Sequence, residues 1–479
     1  MGLALTPVLS DSKSESGSKP EKSPRKRTSS NPRVVKKIIV AGAGIAGLTC
    51  AYELMHKGHE VVVLEAAGRY GGKVYTSYGD LPDDLYAEYG AEGFTIPGYI
   101  KYREYLAEFD LPYLPYHHNR DRYTLVNNEW LSQEEQLQRR LDAAKKVGPF
   151  NKREKKFLSD HKADRLERLY LEPYLENFFN EYQPLGIGYD HLDHVPVSEI
   201  YKKEGASPAA LSLLGGSSVS ALQKLWECYI METRGYWDGH ERQRIKGGNQ
   251  RLINEFAKRL GTRIQLGCRM IDVDHGKSGV TVTYQEFGET KKMEADYLAC
   301  CLNVQAINNI LFTPALPAEK QYVFDNLVFQ QTARIIFQAR SKFWEGEKYG
   351  INLTFNHAAL RDVAQVAHEV ESDRVAIKTK SAAGTSPAEA LSTFKRLYPG
   401  DRSKIDIENV IIQDWSKDVY TPGCQRLNFP MGELSRYWPH LQAPVGNIHF
   451  AGGYADNRVW GMEAAVNSAN IVANQIDLD

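Results

Sequence analysis

Residues 34–66 read "VVKKIIVAGAGIAGLTCAYELMHKGHEVVVLEA", and this stretch decides the fold. A β-branched apolar run leads into glycines, helical periodicity follows, and a second β-branched run closes on an acid. The pattern is strand, turn, helix, strand. Gly42, Gly44 and Gly47, with Ile45 and Ala46 between them, form G-x-G-x-x-G across the strand-to-helix turn. Such glycines allow a tight turn and close backbone approach, while the helix N-terminus faces a pyrophosphate. Glu65, followed by Ala66, ends the second strand 21 residues past Gly44. A carboxylate there accepts the ribose hydroxyls and repels a 2′-phosphate, which disfavours NADP.

Working outward, the 479 residues suffice for two interleaved domains with a sizeable core. Hydrophobic residues make up 42%, charged residues 25%, and the formal net charge is −1, which gives no reason to expect nucleic acid. The six cysteines (Cys50, Cys228, Cys268, Cys300, Cys301, Cys424) show neither a disulfide framework nor CxxC metal spacing. A reducing, cytoplasmic setting and no bound metal are the expectation. No apolar run reaches the length of a membrane span, and the N-terminus lacks a secretory pattern. "MGLALT" formally fits the myristoylation pattern at Gly2 and Thr6, although an unmodified start is the plainer reading.

Residues 1–33 are rich in Ser, Lys, Pro and Arg and read as a disordered leader. From about 100 to 244 the composition turns helical, with "SQEEQLQRRLDAAKKVG" and "NKREKKFLSDHKADRLERLYLEPYLENFF" reading as amphipathic helices. Strand signals return after residue 262, around 328–339 and across 348–378. The segment from 446 onward reads as strand, Gly-rich loop and closing helix. The expected class is α/β: a Rossmann-type dinucleotide domain over 34–100, 245–300 and 415–479, interleaved with a mixed-sheet and helical substrate domain over 101–244 and 301–414.

The continuation "EAAGRYGGKVYT" places Gly68, Arg69, Gly71, Gly72 and Lys73 after the second strand. It resembles the G-R-x-G-G-R motif of the flavin-containing amine oxidase superfamily, with Lys73 for the final arginine, a cation without the bidentate fork. Four further segments extend the resemblance. "AEYGAEGFTIP" is similar to the family's flavin-facing segment, with Tyr89, Gly90 and Ala91 toward the cofactor. "IKGGNQRLINEFAKRL" with "RMIDV" resembles the second FAD-binding stretch, with Met270 at the adenine. "ARIIFQARSKFW" resembles the strand whose lysine lies near flavin N5, and "GNIHFAGGYADNRVWGMEAAVNSANIVA" the closing FAD segment, with Gly452, Gly453, Gly461 and Met462. The resemblance implies an amine oxidase fold, FAD, and transfer of a hydride equivalent from carbon beside nitrogen, with O2 or another acceptor taking the electrons.

Several positions depart from the family. Arg334 stands where the family has its lysine, keeping positive charge as a planar fork. Glu92 falls where L-amino-acid oxidases carry the arginine that clamps the substrate carboxylate. A carboxylate there suits a general base, with a pKa raised by burial unless Arg334 opposes it. Tyr182 is assigned to the substrate side as a third catalytic candidate. "YTPGCQ" resembles the monoamine oxidase segment whose cysteine is bonded to the flavin 8α carbon, which makes Cys424 an attachment candidate. The tyrosine cage of those enzymes is replaced by Gln425 and by Gly461 beside Trp460. Gly453 replaces a family glutamate, leaving its polar contact to Asp456 or Asn457.

Without the carboxylate arginine and the cage, the chain resembles divergent amine oxidases acting on bulky nitrogenous natural products, including oxidative cyclisation of the cyclopiazonic-acid type in alkaloid secondary metabolism. The alternatives are an L-amino-acid oxidase, releasing H2O2 and an imino acid, whose anchor has moved, for instance to Arg334, and a non-catalytic FAD-binding partner protein.

Overall fold

The strand Lys37–Ala41 (β1) is buried at every position but its first, which requires cover on both faces. A parallel sheet supplies that environment. Five parallel strands run in the order Ile264–Leu266, Glu60–Glu65 (β2), β1, Tyr297–Cys300 and Ile448–Phe450. The helix Ile45–His56 (α1) connects β1 to β2 and packs against the C-terminal helix Gly461–Leu478 and the helix Gln250–Leu260. This computed structural model describes residues 34–116, 122–238, 240–276, 278–425, 429–457 and 461–479, with the backbone alone at 238, 424 and 425. Residues 36–479 form one unit, and Val34 and Val35 are exposed. The leader over 1–33, with Gly2 and Thr6, lies outside the described residues, as does Trp460.

A second sheet of seven strands contributes Thr332, Ala333, Arg334 and Lys380 to the wall of a cavity. Its order is Ile407–Asp414, Thr332–Ala339, Val375–Ala382, Leu360–Val366, Leu353–His357, Tyr123–Val126 and Glu129–Ser132. Thr332–Ala339 pairs antiparallel with Val375–Ala382, placing Arg334 directly opposite Lys380. Three short strands, Phe94–Ile96, Glu241–Ile245 and Tyr113–Pro115, form a third sheet beside it.

The region read as helical holds Gln133–Val147 and Lys152–Asp160, each opened by a capping box, Ser132 with Glu135 and Asn151 with Glu154. The stretch 151–179, read as amphipathic helix, folds as several short pieces. After Asp160 the chain turns extended at His161 and continues as the short pieces Ala163–Arg165, Arg168–Leu171 and Glu172–Asn177. Pro173 lacks the N–H that a continuing α-helix needs. Among the described residues no helix is long and apolar enough to cross a membrane.

Candidate active site

The turn between β1 and α1 is dictated by its glycines. Gly42 has φ +95°, and its amide donates to the Leu64 carbonyl at 2.7 Å. A Cβ on Gly47 would lie 1.8 Å from the Gly42 carbonyl oxygen, so Gly47 sets helix-to-strand packing. A Cβ on Gly44 would meet nothing within 4 Å, because Gly44 borders the cavity. Gly44 is also the N-cap of α1 and supplies no side chain, leaving the helix's first N–H groups for a ligand. Glu65 accepts from the Ala43 amide at 2.6 Å and the Ala67 amide at 2.8 Å. Burial still leaves its carboxyl above the ordinary range despite those two bonds. The second glycine loop returns onto the first, with the Gly71 amide donating to the Ala43 carbonyl at 2.7 Å. Arg69 lies over the Tyr75 ring at 4.2 Å and donates to the Gly72 carbonyl, while its buried Nη1 has no hydrogen-bond partner.

These groups line one cavity of about 470 Å³. It is bordered by Gly42, Gly44, Ile45, Ala46, Glu65, Ala66, Gly72, Lys73, Gly90, Ala91 and Met270, and from the closing segment by Gly452, Gly453, Gly461 and Met462. A bare glycine cradle at a helix N-terminus, a carboxylate fixed at the end of β2 and an unpartnered buried guanidinium nitrogen together fit a dinucleotide such as FAD.

At the other end the side chains are charged. Arg334 and Lys380 both border the cavity. Behind them Glu92 is buried and ion-paired to Arg334. It also accepts from the Lys378 ammonium at 2.8 Å and the Tyr116 hydroxyl at 2.7 Å, with Arg242 at 3.9 Å. Burial pushes the Glu92 carboxyl up, but Arg334, Lys378 and Arg242 outweigh it and hold it well below the ordinary carboxylate range. Of the two opposed effects expected at Glu92, the ion pair with Arg334 prevails over burial, joined by Lys378 and Arg242. A carboxylate held this low is a poor proton acceptor near neutral pH, and its ion pair gives Arg334 a buried counter-charge.

Other expected site residues lie away from the cavity. Tyr182 does not border it; its hydroxyl donates to Asp456 at 2.9 Å. Asp456 is fully buried, and burial raises its carboxyl to about 8 against the Tyr182 hydroxyl and Arg234; neither it nor Asn457 borders the cavity. Tyr89 turns to Asp80, its hydroxyl donating at 2.7 Å, while its carbonyl accepts from the Trp415 indole. Gly47 acts through packing alone. Cys424 and Gln425 pair with Gln330 and Phe329 in a two-residue ladder, and their side chains lie outside the described residues. Gly423, Thr421 and Tyr420 just before them border the cavity.

The sequence reading missed Lys378, Lys380, Tyr116 and Arg242. A signal existed in "VAIKTKSA", where two lysines two apart fall on one face of a largely buried strand. It also missed Glu463, which is fully buried and accepts from the Ile100, Lys101 and Tyr102 amides at 2.8–3.0 Å, capping the helix Ile100–Glu108.

The model of the flavin containing amine oxidoreductase family matches residues 45–368 and 387–477. The chain belongs to that family. It is therefore a flavin-dependent amine oxidoreductase, and the family implies a flavin cofactor, which the dinucleotide cradle fits. The chain is 27% identical over 480 residues to an L-amino-acid oxidase from Bothrops atrox, covering 94% of this chain and 90% of that one. It is 26% identical over 486 residues to an L-amino-acid oxidase from Pseudechis australis, covering 94% and 87%. Among solved structures, putrescine oxidase bound to putrescine superimposes with a TM-score of 0.70 at 19% identity, over 94% of this chain and 100% of that one. Cyclohexylamine oxidase from Brevibacterium oxydans superimposes with a TM-score of 0.68 at 21% identity, over 93% and 100%. The amine oxidase fold is thus shared across nearly the whole chain.

Proposed function

We propose that this amine oxidoreductase removes a hydride from the carbon beside nitrogen of a bulky nitrogen-containing small molecule, with cyclisation of the oxidised product as an extension of that reaction. The observation that carries this reading is the bare wall at Gly461. Its φ is +73°, a conformation that favours glycine, and a Cβ there would lie 2.6 Å from the Tyr99 hydroxyl, so a side chain at this position would be strained and would have to displace Tyr99. Gly453, whose Cβ would lie 3.7 Å from the Gly461 carbonyl oxygen, leaves the adjoining wall equally bare. Bound FAD supplies the two-electron acceptor, and the substrate is left as an imine or iminium. Gly42, Gly44, Glu65, Arg69 and Lys73 hold the dinucleotide, and Glu92 keeps Arg334 oriented toward the cavity. In this reading 34–100, 245–300 and 415–479 carry the cofactor, and 101–244 with 301–414 shape the substrate side. The work is cytoplasmic, with O2 or another acceptor restoring the oxidised state.

Cys424 is proposed as a thioether link to the flavin 8α carbon. The thiol and the methyl each lose one hydrogen, and the electrons pass to O2. Cavity-lining Gly423 immediately before it supports this placement. Flavin that stays with acid-precipitated protein, and is released in Cys424→Ala, is the expected result.

A second reading, an L-amino-acid oxidase with a relocated carboxylate anchor, is favoured by the two relatives of that activity. A peroxide assay over the twenty amino acids and a panel of indolic or amide-bearing amines separates the two. Turnover confined to the bulky amines supports the first reading, and turnover of free amino acids establishes the second.

A further inference from the structure

Arg334 and Lys380 face each other across the antiparallel ladder between Thr332–Ala339 and Val375–Ala382, and both border the cavity. Directly opposed residues share a face of the sheet, and like charges placed so destabilise it. Lys378, two residues away, lies on that same face. The available counter-charge is spent elsewhere. Glu92 is shared by Arg334, Lys378 and Arg242, while Asp362, directly opposite Lys380 on the neighbouring strand, turns its carboxylate to the Lys378 ammonium at 3.6 Å and to the Lys380 backbone amide. Arg122 adds a further cation, within electrostatic reach of Glu92, Asp362 and Arg242.

Among the described residues, the carboxylates that border the cavity are Glu65 and Asp418. Glu65 is fixed by the Ala43 and Ala67 amides at the dinucleotide end. Asp418 acts electrostatically on Glu65 and is occupied by the Tyr420 and Thr421 amides and the Thr421 hydroxyl. Among the described residues, the Lys380 ammonium therefore meets no carboxylate within ion-pair range. A half-buried like-charged pair over a cavity has its electrostatic complement in a bound anion, held by charge-assisted hydrogen bonds.

We infer that Arg334 and Lys380 receive a carboxylate substituent of the substrate and thereby select acidic amines over neutral ones. The inference rests on reading the cavity as the site of amine oxidation, and it makes Lys380 the specificity-determining residue. The arginine presents a planar fork and the lysine a compact point charge, a combination suited to a two-oxygen anion.

The test uses the flavin-loaded protein and two redox-inert probes of nearly equal shape, indole-3-acetate and indole-3-acetamide, with binding read from the flavin absorbance. The acetate is expected to bind at least tenfold more tightly than the amide. Lys380→Met should abolish that preference while leaving amide affinity unchanged, and Lys380→Arg should preserve it. Equal affinity of the two probes for the unaltered protein overturns the inference without any variant. If the pair serves the cofactor alone, Lys380→Met shifts the flavin's reduction potential and leaves the preference intact, which also overturns it. Failure of the functional reading looks different: the acetate preference persists while no amine reduces the flavin.

Discussion

At the dinucleotide end of the cavity, the shaping groups lie between Gly42 and Lys73 and are joined largely by backbone. At the opposite end Glu92, Tyr116, Arg242, Arg334, Lys378 and Lys380 come from three strands and two loops, joined by side-chain charge. Two buried acids four residues apart sharpen the contrast. Glu88 receives only neutral donors, the Asn249 amide and the Thr76 hydroxyl, and burial carries its carboxyl up to about 8. Glu92 is as deeply enclosed, yet its three cations hold it low. Burial alone does not decide ionisation here; the charge brought by the second sheet does.

The largest expected effect breaks the local half. Gly47→Ala forces a methyl into the Gly42 carbonyl, and α1 must leave β1. The variant should be insoluble or colourless by flavin-to-protein absorbance. A yellow variant with normal melting would show that the turn is not dictated as described.

Next comes Glu92→Gln, which removes the carboxylate shared by Arg334, Lys378 and Arg242 and leaves only Asp362 near Lys378. Breaking a buried ion pair from one side costs about 3–5 kcal/mol, read by urea unfolding at pH 7. Because the folded carboxyl lies below its unfolded value, its contribution is present above the ordinary glutamate range. It is lost as pH falls through and below that range. The variant should lack that acid-side loss, and an unchanged unfolding midpoint would remove Glu92 from the centre of the cluster.

A smaller effect with the opposite sign is expected at Glu88. The folded protein retains a proton that the unfolded chain has released, between the ordinary value of 4.5 and about 8. Stability should fall as pH rises through that window, by at most about 1.36 kcal/mol per pH unit. Glu88→Gln should flatten the slope measured by melting from pH 5 to 8.5. A slope equal to the unaltered protein's would place the titration elsewhere.

The same contrast explains what could be read in advance. Gly42, Gly44 and Glu65 act through local backbone geometry, so their spacing alone exposed the strand–helix–strand unit. Gly90, Met270 and Gly461 came from motif resemblance, and each borders the cavity. Glu92 and Arg334 were named as a potential pair, but the direction of the Glu92 shift depends on Lys378 and Arg242, far apart in sequence. Only the register that sets Arg334 against Lys380 brings the cavity cations together. Tyr182 and Tyr89 were misplaced because a tyrosine's hydroxyl partner, here Asp456 or Asp80, is chosen by tertiary packing. The helical pieces over 151–179 are short because the backbone turns extended at His161, which amphipathic spacing does not reveal.

The central claim is that one cavity oxidises a bulky, acidic amine at a flavin held by the local half. Anaerobic titration of the flavin-loaded protein tests it most directly. The flavin absorbance should bleach stoichiometrically with a large indolic or amide-bearing amine that carries an acidic group, and remain with phenylalanine or leucine. Bleaching by those free amino acids at similar concentration would contradict the account.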